Sequence, residues 1–295
     1  MRESVFKTLD SYQGKPLEEY VKIFHLIKDE YCYGVKTIFD IFESCFSSSK
    51  SLRSHYIDFE SCLEANLPEI TDVIRANAPY DGSFAYEGDK QKVLNDFLTF
   101  CELLAHMKAV AEEAYVKEII HNKAFDDRLW DQFSDMMNFS LKSMGYELQE
   151  IEEEKHEFEA IKINPEAETV AAKSPKGIRK LVYEYLGTRD KDEKTKERVL
   201  LDLINELGPA LKSYNKNDEN VAKRVKKVGE YLQLMRHPAE NREKEKNSWF
   251  YGNKEHYLDD LFNLCIFVQN YELTKKTIEK FQFLETEATK ENQSL

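Results

Sequence analysis

Glycine and proline are scarce in this chain: 10 and 7 in 295 residues. A sandwich or barrel of many hairpins needs turn residues at short, regular intervals, so that scarcity argues against an all-β fold. The five cysteines (Cys32, Cys45, Cys62, Cys101 and Cys265) are odd in number, widely spaced and contain no C-x-x-C pair. Neither a disulfide framework nor a zinc site is indicated, and buried free thiols in a reducing compartment are expected. No window approaches the roughly 18 apolar residues of a membrane span. The opening MRESVFKTLDSYQGK lacks the apolar run of a secretory signal, which makes the cytoplasm the expected location, with no membrane partner. The chain also lacks a phosphate-binding Gly loop, G-x-S-x-G and H-E-x-x-H, so common nucleotide hydrolases and zinc proteases fit poorly.

What is abundant is Leu, Lys, Glu and Phe, with 41% hydrophobic and 33% charged residues. That mixture builds helices with large cores and a wet surface, and the length suits two units. The expected fold class is mainly α, a multi-helix bundle in two parts with a small β-hairpin between them. Pro16 opens a helical pattern carried by Leu17, Val21, Phe24 and Ile27 and then by Ile38, Phe39, Ile41 and Phe42, with Gly34 as a joint. The SSSKS run at 47–51 interrupts it, and a further helical stretch runs from Tyr56 to Ala76, disturbed at Pro68. From Gln91 to His121 the apolar residues describe a long amphipathic helix. Another runs from Phe125 or Asp126 to Met144 and is closed by Gly145.

Between Tyr146 and Ile163 the period shortens, and a hairpin follows from that alternation. INPEAETVAAKSP then gives a short helix and connector. Helices are expected over 176–186, 193–207, 218–235 and 254–283. The domains implied are an acidic N-terminal helical domain over 1–145, the hairpin and connector over 146–175, and a C-terminal helical bundle over 176–295.

The net charge of -13 is unevenly distributed. Residues 1–172 carry 18 Lys/Arg against 34 Asp/Glu, whereas 173–255 carry 20 against 14, a local surplus of +6. A basic segment in an acidic chain suits a phosphate-bearing partner such as RNA; docking on the protein's own acidic half explains it equally well.

Within that segment Pro238 ends a helix at Arg236 and His237. Unpaired carbonyls at a helix C-terminus stabilise a cation there, and an Arg beside a protonated His suits a phosphodiester: one offsets phosphoryl charge, the other moves a proton. Arg and His are also common at helix ends for the dipole alone. Lys223, Arg224, Lys226 and Lys227 on the preceding helix supply candidate phosphate contacts, and Trp249, Phe250 and Tyr251 candidate stacking surfaces. The bland alternative is a solvated helix face over the buried stripe of Val221, Val225, Val228 and Leu232.

Glu118-x-x-His121 has the spacing of one limb of a di-metal bundle, but its companion, Glu153 to His156, falls in the hairpin; no metal site and no cofactor are expected. Arg53-Ser-His55 and Glu102-x-x-x-His106 are ordinary surface pairs on this view.

The run containing SLKSMGYELQEI, the hairpin, INPEAETVA and LMRHPAENR resembles bacterial abortive-infection and HEPN-type helical proteins, over about half the chain. The resemblance implies a helical bundle, often a homodimer, acting in prokaryotic or phage defence. In active relatives it implies a metal-independent ribonuclease whose Arg and His sit in an R-x4-6-H motif at a dimer cleft. That spacing is missing from this chain. The carry-over therefore rests on Arg236, His237, Arg242 and His256 as catalytic residues, with Asn241, Trp249 and the four basic residues at 223–227 as RNA contacts. The alternative is a non-enzymatic module that binds a protein partner through its acidic helical surface.

Overall fold

A computed structural model of the chain describes residues 15–32, 36–76, 89–116, 128–152, 155–189, 192–208 and 254–293. The chain is mainly α-helical and divides into two compact units, Met1–Ile163 and Asn164–Leu295.

In the first unit α1 (Pro16–Asp29) is followed by a two-residue antiparallel ladder, β1 (Tyr31–Cys32) with β2 (Lys36–Thr37), and by α2 (Ile38–Cys45). The helical periodicity runs up to this ladder on one side and resumes after it on the other, so the sequence alone does not announce the strands. Thr37 fixes the restart: its side chain accepts from Asp40 N while the Asp40 carboxylate accepts from Thr37 N, both at 3.0 Å. This reciprocal pairing satisfies two of the amide donors that every helix start leaves open. A 3₁₀ turn (Phe46–Ser48) and the single-turn α3 (Lys50–Arg53) follow, then α4 (Phe59–Asn66) and α5 (Pro68–Ala76). Asp58 and Ser61 repeat the reciprocal cap at α4. At α5 the cap comes from afar, since the buried Asp96 carboxylate accepts from Ile70 N at 3.0 Å.

Helix α6 (Lys90–Val116) is the axis of this unit. Val93, Phe97, Leu98, Phe100, Cys101, Leu104, Met107 and Ala111 are all buried and occupy more than one face. A helix apolar over so wide an arc has to be surrounded, and α1, α2, α4 and α5 pack on it. Beside them α7 (Arg128–Ser143) contributes Trp130 and Phe133 to an edge-to-face cluster with Phe42 and Phe59. Gly145 closes α7 with φ +83°, the left-handed geometry a Cβ disfavours. Its carbonyl accepts from Ile163 N at 2.9 Å, tying together the two ends of the hairpin that begins there.

That hairpin pairs β3 (Tyr146–Glu152) with β4 (Glu157–Lys162), Leu148 opposite Ala160 and Glu150 opposite Phe158, with an irregularity between Glu150 and Glu152. It packs on α6 within the first unit.

In the second unit Asn164 caps α8 (Pro165–Lys173), its side chain accepting from Ala167 N at 3.0 Å, and Pro165 occupies the first turn. Helices α9 (Lys176–Gly187), α10 (Glu193–Glu206) and α11 (Lys254–Gln293) complete its described part. Val182, Val199, Leu200, Ile204, Leu258, Leu261 and Val268 are fully buried, and Tyr185 stacks on Phe262 at 4.1 Å and 10°. Helix α11 extends ten residues past the end expected from periodicity. The helix expected over 218–235 lies outside the described residues. The cysteines are buried free thiols. No described helix is long and apolar enough to cross a membrane.

Candidate functional site

Residues four apart on a helix share a face, and Glu102, His106 and Glu113 form such a stripe on α6 beneath the hairpin. Each is bonded across to it. Glu102 accepts from Ala160 N at 2.8 Å, His106 Nδ1 lies 2.8 Å from the carbonyl oxygen of His156, and Glu113 lies 3.1 Å from His156 Nε2. His156 Nδ1 stands 3.6 Å from Glu150, so its ring sits between two carboxylates. Its backbone has φ 53°, a left-handed conformation uncommon outside glycine, which the bond from His106 helps to hold.

The second nitrogen of His106 meets Ser49 Oγ at 2.7 Å. A carbonyl oxygen only accepts, so the bond to His156 assigns the proton to Nδ1. Nε2 of the neutral ring then presents a lone pair, and the Ser49 hydroxyl donates to it. Burial is the main cause that pushes the His106 pKa below the ordinary imidazole value; the nearby His156 ring acts in the same direction, against the carbonyl bond and Glu157. Hydroxyl, neutral imidazole and fixed acceptor in series are the connectivity of an activated nucleophile. A nucleophile must also reach its substrate, and Ser49 is 2% exposed, His106 7%. Ser49 Oγ is further occupied as the cap of α3, accepting from Leu52 N at 3.3 Å. Chemically this is a closed polar latch joining α3, α6 and the hairpin turn.

The second unit holds a different arrangement. Tyr185 OH donates to Asp259 Oδ1 at 2.6 Å and Lys196 Nζ to the same oxygen at 3.1 Å. The Lys196 side chain is 5% exposed and that of Asp259 47%. A buried cation is thus held against a half-exposed carboxylate, with the ammonium also 5.6 Å from the Tyr185 ring centre. Burial first, then the bond and charge of Asp259, raise the Tyr185 pKa, so its phenol stays a donor.

The residues singled out from sequence fare unevenly. Arg236, His237, Arg242, Lys223, Arg224, Lys226, Lys227, Asn241 and Trp249 lie outside the described residues, as do Glu118, His121 and Glu153. His256 lies in the first turn of α11, one turn before Asp259. Arg53 and His55 are exposed on the serine-rich turn, where Arg53 reaches Ser47 O at 3.4 Å. Glu102 and His106, read as an ordinary surface pair, instead face the hairpin, and His106 is buried. Their four-residue spacing was visible, but the apposed strand was not. Lys196 had a clearer signal, since it begins the apolar stripe Lys196, Val199, Leu200, Leu203. Among the described residues no three His, Cys, Asp or Glu side chains converge as metal ligands.

Comparison with protein-family models, with characterised proteins and with solved structures finds no match.

Proposed function

We propose that the protein is a non-enzymatic interaction module whose acidic helical unit docks on a basic protein surface. The observation that carries this reading is the coincidence of charge with architecture. The first unit, 1–163, has 18 Lys/Arg against 32 Asp/Glu, a net -14; the second, 164–295, has 24 against 23, a net +1. A single-sign field of that size steers and orients a partner of opposite charge. Asp131 and Asp135, one turn apart and exposed on α7, and Glu60 and Glu64 on α4 are among the groups that present it. The closed latch at Ser49 and His106 supports the same reading, because its hydroxyl is committed to holding elements together.

A second reading draws on the +6 surplus over 173–255. There the basic segment contacts RNA with Lys223, Arg224, Lys226, Lys227, Asn241 and Trp249, and Arg236, His237, Arg242 and His256 cleave it, in a defence role. One set of measurements separates the two. The full chain is assayed for RNA degradation in chelator, and for binding to the partner recovered from its native source, with and without Asp131→Lys and Asp135→Lys. The interaction reading expects stable RNA and partner affinity lowered about tenfold or more by charge reversal and by salt. RNA cleavage that disappears in the Arg236→Ala, His237→Ala variant overturns it.

A further inference from the structure

The two edges of the hairpin are not alike. In an antiparallel ladder, pairs that exchange both backbone bonds alternate with pairs whose amides and carbonyls point outward. Two contacts fix the phase here. Ile163 N donates to Gly145 O at 2.9 Å, so these two residues face each other as a bonded pair, and Ala160 N turns away from β3 to reach Glu102 at 2.8 Å. By alternation, Leu148 opposite Ala160 and Glu150 opposite Phe158 direct their backbone groups outward. On the β4 side that edge meets α6, which supplies Glu102. The β3 edge is different. Among the described residues nothing bonds the outward amide or carbonyl of Leu148, and the Glu150 carbonyl accepts from its own neighbour, the Gln149 side chain, at 3.3 Å.

An edge with open amides is a template for a further strand, and proteins with no use for one blunt it with Pro, Lys or a very short strand. β3 is seven residues long, holds neither Pro nor Lys, and is irregular only toward its end, between Glu150 and Glu152. Its charge selects the guest. β3 carries three Glu and no cation, and β4 two Glu and one Lys, so the two strands together are net -4. A second copy of β3 laid on this edge sets Glu against Glu, which is destabilising, whereas a strand rich in Lys or Arg is attracted. We infer that the outer edge of β3 accepts an extended basic segment of a partner protein as a third strand, bonded to the backbone at Leu148 and Glu150. The inference rests on the reading of the first unit as an acidic docking module, and adds where and in what conformation the partner is held.

Fluorescence anisotropy and amide hydrogen exchange on the full chain test it, with a labelled peptide alternating Lys and Val as the probe. The expected result is binding that weakens with salt and slows exchange at the Leu148 and Glu150 amides. Affinity should fall about tenfold or more for the same peptide N-methylated throughout, which has no backbone donor left. Leu148→Pro removes an outward amide that the ladder does not use, and should weaken binding to a similar degree. Because that change also trims a packed side chain, the Glu147→Gln, Glu150→Gln, Glu152→Gln variant serves beside it and should bind less tightly with a smaller response to salt. No binding, binding that tolerates N-methylation, equal binding of a peptide alternating Glu and Val, or no protection at Leu148 and Glu150 would overturn the inference. If it fails in one of these ways while Asp131→Lys and Asp135→Lys still weaken the recovered partner, strand addition alone falls and the docking reading stands.

Discussion

His106 in the first unit and Lys196 in the second are buried by opposite means, although the first unit also holds a buried ion, Glu19, against the half-exposed Lys22. In the first, His106 is buried as a neutral ring, its two nitrogens used by the His156 carbonyl and the Ser49 hydroxyl. In the second, Lys196 is buried as a cation, and the ion it pairs with, Asp259, is half-exposed. A neutral ring avoids the desolvation cost of a charge but becomes sensitive to pH near neutrality. A paired lysine bears that cost and recovers part of it from the attraction of its carboxylate. The contrast teaches that the first unit holds a buried ring whose protonation, below the ordinary imidazole range, works against its fold.

The largest test of the comparison asks whether the units are separate at all. Phe42→Ala in the first and Phe262→Ala in the second should each cost about 3–5 kcal/mol, read from urea unfolding. If both substitutions shift one shared transition equally, the division is not energetic and the comparison breaks. Asp259→Ala should follow at about 3 kcal/mol, because it leaves the buried Lys196 without a counter-ion and Tyr185 without its acceptor. Lys196→Met, which keeps the stem and removes the charge, should stay within about 1 kcal/mol of wild type, since water can solvate the exposed side of Asp259. Equal losses in these two variants would contradict a cation buried at a cost.

Ser49→Ala should cost about 1–2 kcal/mol at neutral pH by leaving the His106 lone pair unsatisfied. The pH dependence comes from the same ring. The folded state holds His106 below its ordinary pKa, so around pH 6 the unfolded chain binds more protons. Its contribution is complete above the usual imidazole range, near 6.5, and is lost as pH falls toward the folded value. The melting temperature of the first unit should therefore decline on mild acidification, and His106→Gln should flatten that decline. In the second unit Asp192 has its pKa lowered by its bonds to Thr195, so its contribution persists above the carboxylate range and is lost only in stronger acid. Smallest is Gly145→Ala, about 1 kcal/mol, from the positive φ alone, because no neighbour crowds the added Cβ.

Much of the local architecture was legible. Pro16 and Pro165 in first turns, Gly145 after α7, the apolar periodicity of α6 and the alternation of Tyr146 and Leu148 each encode a local backbone preference. Other features were not. Tyr31–Cys32 and Lys36–Thr37 form a ladder where helical periodicity stops only briefly, and two residues a side are too few to show a period of two. Asp96 capping α5 and His106 meeting Ser49 join residues 26 and 57 positions apart, a distance no window of sequence spans. The Arg236 and His237 reading remains a proposal from sequence.

The sequence by itself determined helical class, chain breaks and charge segregation, since these follow from periodicity, turn chemistry and counting. Only the tertiary structure decided that the hairpin belongs with α6, that Glu102 and His106 face it, and that Ser49 is sealed. Those outcomes depend on which surfaces are apposed when residues far apart in the chain close on one core.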